Sequence, residues 1–400
     1  MINIKKFIQR LFQMDRILFI SHIYPSKDFL RQGYVIHKQA IGLKENGYVV
    51  DVISPLQWVP NLLSKYNKYW NFYNSAGQTE VLDNIKVYRP KYFKVPKNQF
   101  LFLTKKNFFR QCYKMIEKYK IMIDDYDIIH SHIGFPDSFF AYELSVKYNK
   151  KLIISVRMTD ILFLKSNNNE LKKKYLTILN SADNVISISD NIKKILWEEF
   201  QVNSHLIGNG VDSHIFFHKP DIEKKYDLIT VSNLIKSKNH ELVLRAIYQI
   251  KQQGHKINYI IIGNGPHYVK LKEIVEELNL KDNVIFKGEL NKNEINEILN
   301  QSKVFVMPSL KETFGLVYLE AALAKVPSIF IEGQGIDGVF KNEVSGIKIN
   351  NDITQLIEAV LFLLESDNER KFIGQNAHDI ATTQYNWNFI VNKIIEVYNE

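Results

Sequence analysis

Short apolar runs rich in branched residues alternate along this chain with longer segments in which apolar residues recur every three or four positions. The first pattern predicts buried strands and the second predicts amphipathic helices. In the first half, strands are predicted at 16–21, 48–54, 85–89, 127–130, 152–156, 184–187 and 204–207. Helices are predicted at 37–46, closed by Gly47, at 137–148 and at 191–200. Asn209-Gly210-Val211-Asp212 interrupts the series, and residues 213–225, with Pro220 and several charges, read as a linker. A second series follows, with strands at 228–232, 259–262, 284–287, 304–307, 326–331 and 346–349. Its helices fall at 241–252, 269–278, 294–300 and 316–324, and a helical tail runs over 354–399 with a break near Tyr385-Asn386-Trp387. No short-period repeat is present. This alternation predicts an α/β protein with parallel sheets covered on both faces. At 400 residues the chain divides into two such domains, 1–215 and 216–382, followed by a helix at 383–400. The cleft between two domains of shared architecture is the default ligand site.

Composition narrows this picture. An apolar fraction of 46% and a charged fraction of 24% are those of a globular chain with a core in each domain. One cysteine, Cys112, excludes an internal disulfide framework and fits a reducing, cytoplasmic setting. Residues 1–12 lack the long apolar core and small-residue cleavage site of a secretory signal. No run of about 18 apolar residues is available to span a bilayer. The net charge of +9 favours anionic partners: nucleic acid, anionic lipid or phosphorylated substrates. Charge gathers in the first half, at Lys5, Lys6, Arg10 and Arg16. In the segment 104–121, Lys105, Lys106, Arg110, Lys114, Lys118 and Lys120 stand among Phe108, Phe109, Tyr113 and Ile116. A basic helix carrying aromatic residues suits a membrane surface, and a solvated face on a lysine-rich protein has the same composition. No motif of a known nucleic-acid reader accompanies the charge.

The most informative chemistry lies in Pro308-Ser309-Leu310-Lys311-Glu312-Thr313-Phe314-Gly315-Leu316-Val317-Tyr318-Leu319-Glu320. On one continuous helix the two glutamates would be separated by roughly 800° of rotation and point about 80° apart. With Glu312 on the loop after a strand and Glu320 inside the following helix, both instead line a crevice at a strand's carboxyl end, where open α/β sheets bind ligands. Gly315 allows a close backbone approach, and the first amides of the helix suit phosphate. A plainer account exists: Ser309 to Glu312 has the form of a capping box, and Glu320 can be a solvated helix residue. Its neighbours Val317, Leu319, Ala321 and Ala322 argue that a charge there needs a partner.

Other elements are individually weak. Gly263-Asn264-Gly265-Pro266 follows a strand, but Tyr268 replaces the third glycine of a dinucleotide fingerprint, and a simple turn accounts for it equally. No phosphate loop of the G-x-x-x-x-G-K-[ST] form occurs, and no Cys/His array resembles a zinc site. Gly33, in Arg31-Gln32-Gly33-Tyr34, sits in the first strand-to-helix loop, where it either brings amides to a phosphate or forms an ordinary turn. His130-Ser131-His132 ends a strand with its histidines spaced for opposite faces, which does not make a metal pair. One of them can face a cleft while the other is a core residue. Lys238 follows a strand end and suits a diphosphate, whereas Lys236 faces solvent.

Taken in order, these pieces resemble the retaining glycosyltransferases of family 4. The resemblance covers nearly the whole chain. Its most specific part is Glu312-x7-Glu320 within Pro308-Ser309-x-x-Glu312-x-Phe314-Gly315-x-x-x-x-Glu320-Ala321. Supporting pieces are Ala182-Asp183-x-Val185-Ile186-x-x-Ser189, Ile207-x-Asn209-Gly210-Val211-Asp212, Val231-Ser232-Asn233-Leu234-x-x-x-Lys238, Gly263-x-Gly265-Pro266, Val284-x-Phe286-x-Gly288, and Gly333-Gln334-Gly335-Ile336-Asp337 through Ser345-Gly346. The resemblance implies the GT-B fold: two Rossmann-like domains facing across a cleft, the N-terminal one for the acceptor and the C-terminal one for a nucleotide sugar, with the C-terminal helix returning to the N-terminal domain. It implies that Glu312 holds donor-sugar hydroxyls, Glu320 the ribose, and Lys238 the diphosphate. Gly33, Asn233, Gly263, Thr313, Leu316 and the amides of Phe314 and Gly315 would lie nearby, with Phe286 against the base. His132, Asp160 and Asn209 are the candidates on the acceptor side. The expected activity is transfer of a hexosyl group from a UDP- or GDP-linked donor, without metal or cofactor, to a glycan or lipid-linked acceptor. Bacterial capsule, exopolysaccharide or lipopolysaccharide assembly at the inner membrane face is the expected setting.

Two departures stand out. Asn233 occupies a position where the family often has an arginine for the diphosphate. In Ser155-Val156-Arg157-Met158-Thr159-Asp160, Arg157 stands where the family usually has a cleft histidine. An arginine stays protonated and cannot serve as a base, but it can supply positive charge to a phosphate or to an acidic acceptor, and it is therefore counted with Glu312 and Lys238 as a catalytic candidate. The same departures keep open a non-catalytic GT-B partner subunit, and the fold also admits a GT-B nucleotide-sugar isomerase.

Overall fold

The computed structural model describes residues 15–27, 29, 32–64, 68–94, 101–166 and 169–400. Lys5, Lys6, Arg10 and Arg31 lie outside the described residues. The chain forms two compact units. One comprises residues up to Ile188, Ile192–Ile207 and Val391–Glu400, and the other Ser189–Asn191 and Gly208–Ile390. The sequence-based division placed these joints at 215/216 and 382/383.

In the first unit, strands β1 (Arg16–Ile20), β2 (Val49–Ile53), β4 (Thr79–Leu82), β5 (Ile85–Tyr88), β7 (Ile128–Ser131), β8 (Lys151–Val156), β9 (Asn184–Ser187) and β10 (His205–Leu206) form one sheet. Its order is β10-β9-β8-β7-β1-β2-β5-β4, and the short β3 (Leu56–Gln57) and β6 (Lys91–Tyr92) pair separately. The expected all-parallel sheet needs one correction, because β4 runs antiparallel to β5. Asp83 and Asn84 join them, both at positive φ (48° and 59°), as a two-residue hairpin turn requires. Elsewhere the register keeps the carboxyl ends level: Ile20 lies opposite Ser131, and Ser131 opposite Ile154.

The helix Leu101–Tyr119 revises the membrane expectation. Phe108, Phe109 and Ile116 are buried in the core with Cys112 and Met115, and Tyr113 packs against it. A three-to-four-residue apolar repeat places those residues against the sheet, so the aromatic side of this helix is not a surface. Its exposed side carries Lys106, Arg110, Lys114 and Lys118, with Phe102 and Leu103 exposed in the first turn. No helix among the described residues is long and apolar enough to cross a membrane.

The helix Trp387–Asn399 supplies the last residues of the first unit. Tyr398 Oη meets His130 Nδ1 at 2.6 Å, Asn184 Nδ2 donates to Val397 O (2.9 Å), and Lys151 Nζ donates to Tyr398 O (3.0 Å). An added Cβ on Gly42 would fall 2.4 Å from Val391 Cγ2, so that contact depends on glycine.

In the second unit, β11 (Tyr226–Val231), β12 (Tyr259–Ile262), β13 (Val284–Gly288), β14 (Ser302–Val306), β15 (Ser328–Ile331) and β16 (Ile347–Ile349) form a parallel sheet of order β13-β12-β11-β14-β15-β16. Alternate residues serve opposite cores. Leu228, Tyr259, Ile261, Val304, Val306 and Ile329 pack on one face, and Ile229, Ile260, Ile262, Phe305 and Phe330 on the other. Strands buried on both faces are the reason these runs read as continuously apolar. Residues 213–225 are not a free linker. Phe216 is buried in the second core, and the amides of Phe217 and Lys219 donate to Asn296 Oδ1 (3.2 Å) and Asn300 Oδ1 (2.7 Å). The expected tail is three helices, Ile353–Glu365, Asp367–Gln384 and Trp387–Asn399, and Ser366 caps the second by accepting from Glu369 N.

Candidate active site

The strand order of the second unit reverses direction between β11 and β14, so the loops leaving these two strands diverge and open a crevice at their carboxyl ends. Lys238 comes from the loop after β11, and Glu312 from the loop after β14. Leu310 N donates to Ser237 O (2.8 Å), which ties the two loops together. Lys238 Nζ and Glu312 Oε2 form a short ion pair in which both side chains are largely enclosed.

Glu312 is held on every side. Its amide donates to Gln334 Oε1 (3.2 Å), its carbonyl accepts from Gly335 N (3.2 Å), and its Oε1 accepts from Thr313 N (3.1 Å). Gly335 (φ 41°) and Gly315 (φ 80°) flank it, and a Cβ on either would approach Glu312 Cγ, to 2.4 and 3.2 Å. Gly335 thereby has a specific task that its sequence context alone does not reveal. The capping-box account of Ser309 to Glu312 is not what forms. Ser309 Oγ donates to Ser237 O, and the helix Leu316–Leu323 begins at Gly315 without a side-chain cap. Phe314 is buried, while Thr313 and Leu316 are half-buried.

Glu320 sits on the second turn of that helix. Part of its surface stays open, yet it is closely surrounded, and burial pushes its carboxyl up to about 7, with Lys292 opposing the shift. Among the described residues it accepts no hydrogen bond. An enclosed carboxylate without donors is costly until something supplies them. Gly263 (φ 133°) and Gly265 have a structural cause. Added Cβ atoms would fall 1.9 Å from Ser232 O and 2.4 Å from Leu234 O, so the loop after β12 can lie against the loop after β11 only with glycine. Asn233 and Lys236 are exposed, and Phe286 packs edge-on against Tyr268 at 5.4 Å. Asn209 is buried and falls within the second unit, not with His132 and Asp160.

In the first unit, the adjacent strands β8, β7 and β1 end at Arg157, His132 and the Ser21-His22 turn. The expectation that His130 and His132 face opposite ways is corrected. Residues two apart in an extended strand share a face, the ladder continues as His132 N donates to Ile20 O (3.2 Å), and the two rings lie tilted against each other with centroids 4.0 Å apart. Both are buried. His130 bridges Tyr398 and Ser155, and burial lowers its pKa to about 3. Burial, with His130 and Arg157 close by, takes His132 well below the usual imidazole value. Asp160 accepts from the amides of Arg157 and Gly134 (2.7 Å each), and burial raises it to about 6. Gly33 (φ 77°) begins the helix Tyr34–Glu45, and a Cβ there would fall 1.8 Å from Ile23 O.

Two features escaped the sequence. His22 Nδ1 pairs with the fully buried Asp137 at 2.5 Å across 115 residues of chain. Arg89, also fully buried, donates to Pro25 O (2.5 Å), Ser54 Oγ (3.2 Å) and Glu80 Oε2 (2.9 Å), bracing the loop after β1. Arg89 ends a predicted strand, and a buried arginine beside the acidic β4 hairpin was the available signal. Two surface cavities, of about 630 and 620 Å³, lie away from all these residues. One is at the amino ends of β8 and β9, and the other is beside Arg110 and Lys147. No three His, Cys, Asp or Glu residues are grouped to hold a metal among the described residues.

Two Rossmann-like α/β units, the second with its candidate site residues at a strand-order reversal, define the GT-B architecture. Residues 32–214 match the family model described as Glycosyltransferase Family 4, and residues 212–379 match Glycosyl transferases group 1. The chain therefore belongs to the group 1, family 4 glycosyltransferases. It is 25% identical over 412 aligned residues to an uncharacterised glycosyltransferase of Methanocaldococcus jannaschii, covering 96% of this chain and 97% of that protein. It is 25% identical over 289 residues to N-acetyl-alpha-D-glucosaminyl L-malate synthase of Bacillus anthracis, covering 69% of this chain and 75% of that one. In fold it resembles Anabaena HepE, solved in complex with UDP, with a TM-score of 0.72, 16% identity, and coverage of 96% and 100%.

Proposed function

We propose that this glycosyltransferase takes its sugar from a nucleoside-diphosphate sugar, UDP- or GDP-linked, and transfers it with retention of anomeric configuration to a glycan or lipid-linked acceptor. The observation that carries the reading is the Lys238–Glu312 ion pair at the β11/β14 crevice, with the donorless Glu320 on the helix that follows the Glu312 loop. Lys238 neutralises the diphosphate, Glu312 accepts hydrogen bonds from the sugar, and Glu320 gains from the ribose hydroxyls the donors it lacks. UDP in HepE and the N-acetylglucosaminyl product named for the Bacillus relative point the same way.

The C1–O bond to the diphosphate breaks while the bond from C1 to the acceptor oxygen forms on the same face. The acceptor's hydroxyl proton passes to the departing phosphate oxygen. Charge develops on that phosphate, so the lysine and the amides of Phe314 and Gly315 carry the larger catalytic task. No metal or cofactor is required by this scheme. Assembly of a bacterial capsule, exopolysaccharide or lipopolysaccharide is the proposed setting. The row Lys106, Arg110 and Lys114 would meet anionic lipid electrostatically, helped by Phe102 and Leu103.

A thermal-shift series over nucleoside diphosphates and their sugars tests the donor. Saturable stabilisation by one base, abolished with transfer in Glu312→Ala, is expected. Stabilisation by none of them would overturn the reading, while a response to donor without transfer in the wild type would favour a binding subunit. Sedimentation with anionic but not neutral vesicles, lost in a K106E/R110E/K114E variant, tests the membrane contact.

A further inference from the structure

We propose that the carboxyl edge of the first sheet is an anion site built on Arg157 and His22, and that the acceptor is accordingly an acid carrying a carboxylate or phosphate. The proposal rests on the transferase reading above and names the acceptor's chemical class.

Arg157 follows β8 at the same edge as His132 after β7 and His22 after β1. Its neighbour Asp160 attracts the guanidinium electrostatically but forms no ion pair with it; Asp160 Oδ2 accepts from Arg157 N and Oδ1 from Gly134 N. The guanidinium itself makes one hydrogen bond, from Nε to His132 O (3.2 Å). Nη2 is buried and donates to nothing, and the side chain forms no ion pair among the described residues. Burial depresses its pKa only to about 10, so it stays cationic at neutral pH. The guanidinium is thus a largely enclosed cation fixed by one carbonyl, with Asp160 as its electrostatic counter-charge but with a buried N–H left undonated, which is costly in a protein interior. The guanidinium fork matches a two-oxygen anion better than any neutral group.

His22 gives the second contact. Its Nδ1 is held by Asp137, which is fully buried, while the imidazole keeps 29% of its surface. Asp137, supported by Asp160, favours the protonated ring against its own desolvation and the nearby Lys94. With Nδ1 engaged, Nε2 is left to donate. His132 contributes no charge, and neither of its ring nitrogens has a partner. All of these groups belong to the first unit, whereas Lys238, Glu312 and Glu320 belong to the second. We assign the anion to the acceptor, and the nucleotide control below tests the donor's diphosphate as the alternative.

The test uses the whole chain at constant ionic strength, with malonate and inorganic phosphate as probes, glycerol as the uncharged control and UDP as the nucleotide control. Expected is a saturable rise in melting temperature with malonate or phosphate but not glycerol. In Arg157→Gln this response weakens by about tenfold or more in apparent affinity, while the UDP response is unchanged. No saturable response in the wild type, or an equal response in Arg157→Gln, overturns the proposal. Loss of the UDP response in Arg157→Gln also overturns it, by assigning the guanidinium to the donor. A wild type that answers the anions but no nucleotide would count against the donor site alone. If Arg157→Gln does not fold, hydrogen exchange in the wild type decides. Protection by phosphate at 132–134 and 157–160 supports the site, and protection confined to 232–238 and 312–315 overturns it.

Discussion

Glu320→Gln separates a carboxylate kept for a ligand from one kept for the fold. Burial raises the folded-state pKa of Glu320 from 4.5 to about 7. The folded protein therefore holds a proton that the unfolded chain has released between these values, and stability falls as pH rises from about 4.5 through about 7. The full shift corresponds to about 3 kcal/mol. Residual exposure of the side chain screens this to about 1–2 kcal/mol. Without ligand, Glu320→Gln is expected to be more stable than wild type by that amount at pH 8.5 in urea unfolding, with the gap closing towards pH 4.5. Binding of the nucleotide sugar should show the reverse. A UDP- or GDP-sugar has no phosphate proton to lose in this range, so its affinity for the wild type should fall about tenfold for each pH unit below 7. The variant should bind weakly and without pH dependence. Equal affinity of the two proteins at pH 8.5 would refute the ribose assignment, and a less stable unliganded variant at that pH would refute the claim that the carboxylate is unsatisfied.

Three further outcomes follow from the packing. Lys238→Met should abolish nucleotide-dependent stabilisation while lowering unliganded stability only by about 1–3 kcal/mol, the cost of leaving a partly enclosed carboxylate unpaired; retention of nucleotide binding in calorimetry would remove the lysine from the diphosphate. Gly263→Ala must relieve a 1.9 Å approach to Ser232 O at a positive φ, so denaturant unfolding should show a loss of at least about 2 kcal/mol, and a neutral result would mean that the two loops are free to separate. Tyr398→Phe leaves His130 Nδ1 without its 2.6 Å partner and should cost about 1–3 kcal/mol, read as a lowered urea midpoint with unchanged donor affinity.

What the sequence disclosed follows the reach of each interaction. Strands buried on both faces leave continuous apolar runs, so β11, β12 and β14 are legible within a few residues. Glu312 on its loop and Glu320 on its helix are legible because a strand, a glycine and an amphipathic turn stand beside them. The β4 hairpin was readable in principle from Asp83-Asn84 but is short and polar. The His22–Asp137 pair was not readable. Its members lie in separate loops, and only the β1–β7 adjacency brings them together. The basic helix was legible only in part, for a different reason. Composition records that aromatic and cationic residues share a segment, whereas their spacing sends the aromatics inward and leaves the cations outside.

The attachment of Val391–Glu400 to the first unit has a consequence for synthesis. A ribosome emits residues 16–207 well before residue 398, so the segment containing His130, Lys151 and Asn184 waits, without its last contacts, while all of the second unit is being made. Domains generally complete themselves in the order of translation, but here the first to emerge is the last to be finished. A chain stalled between residues 391 and 398 would hold all of the second unit and an unsealed first one, so closure of the first unit reports that synthesis has passed residue 398.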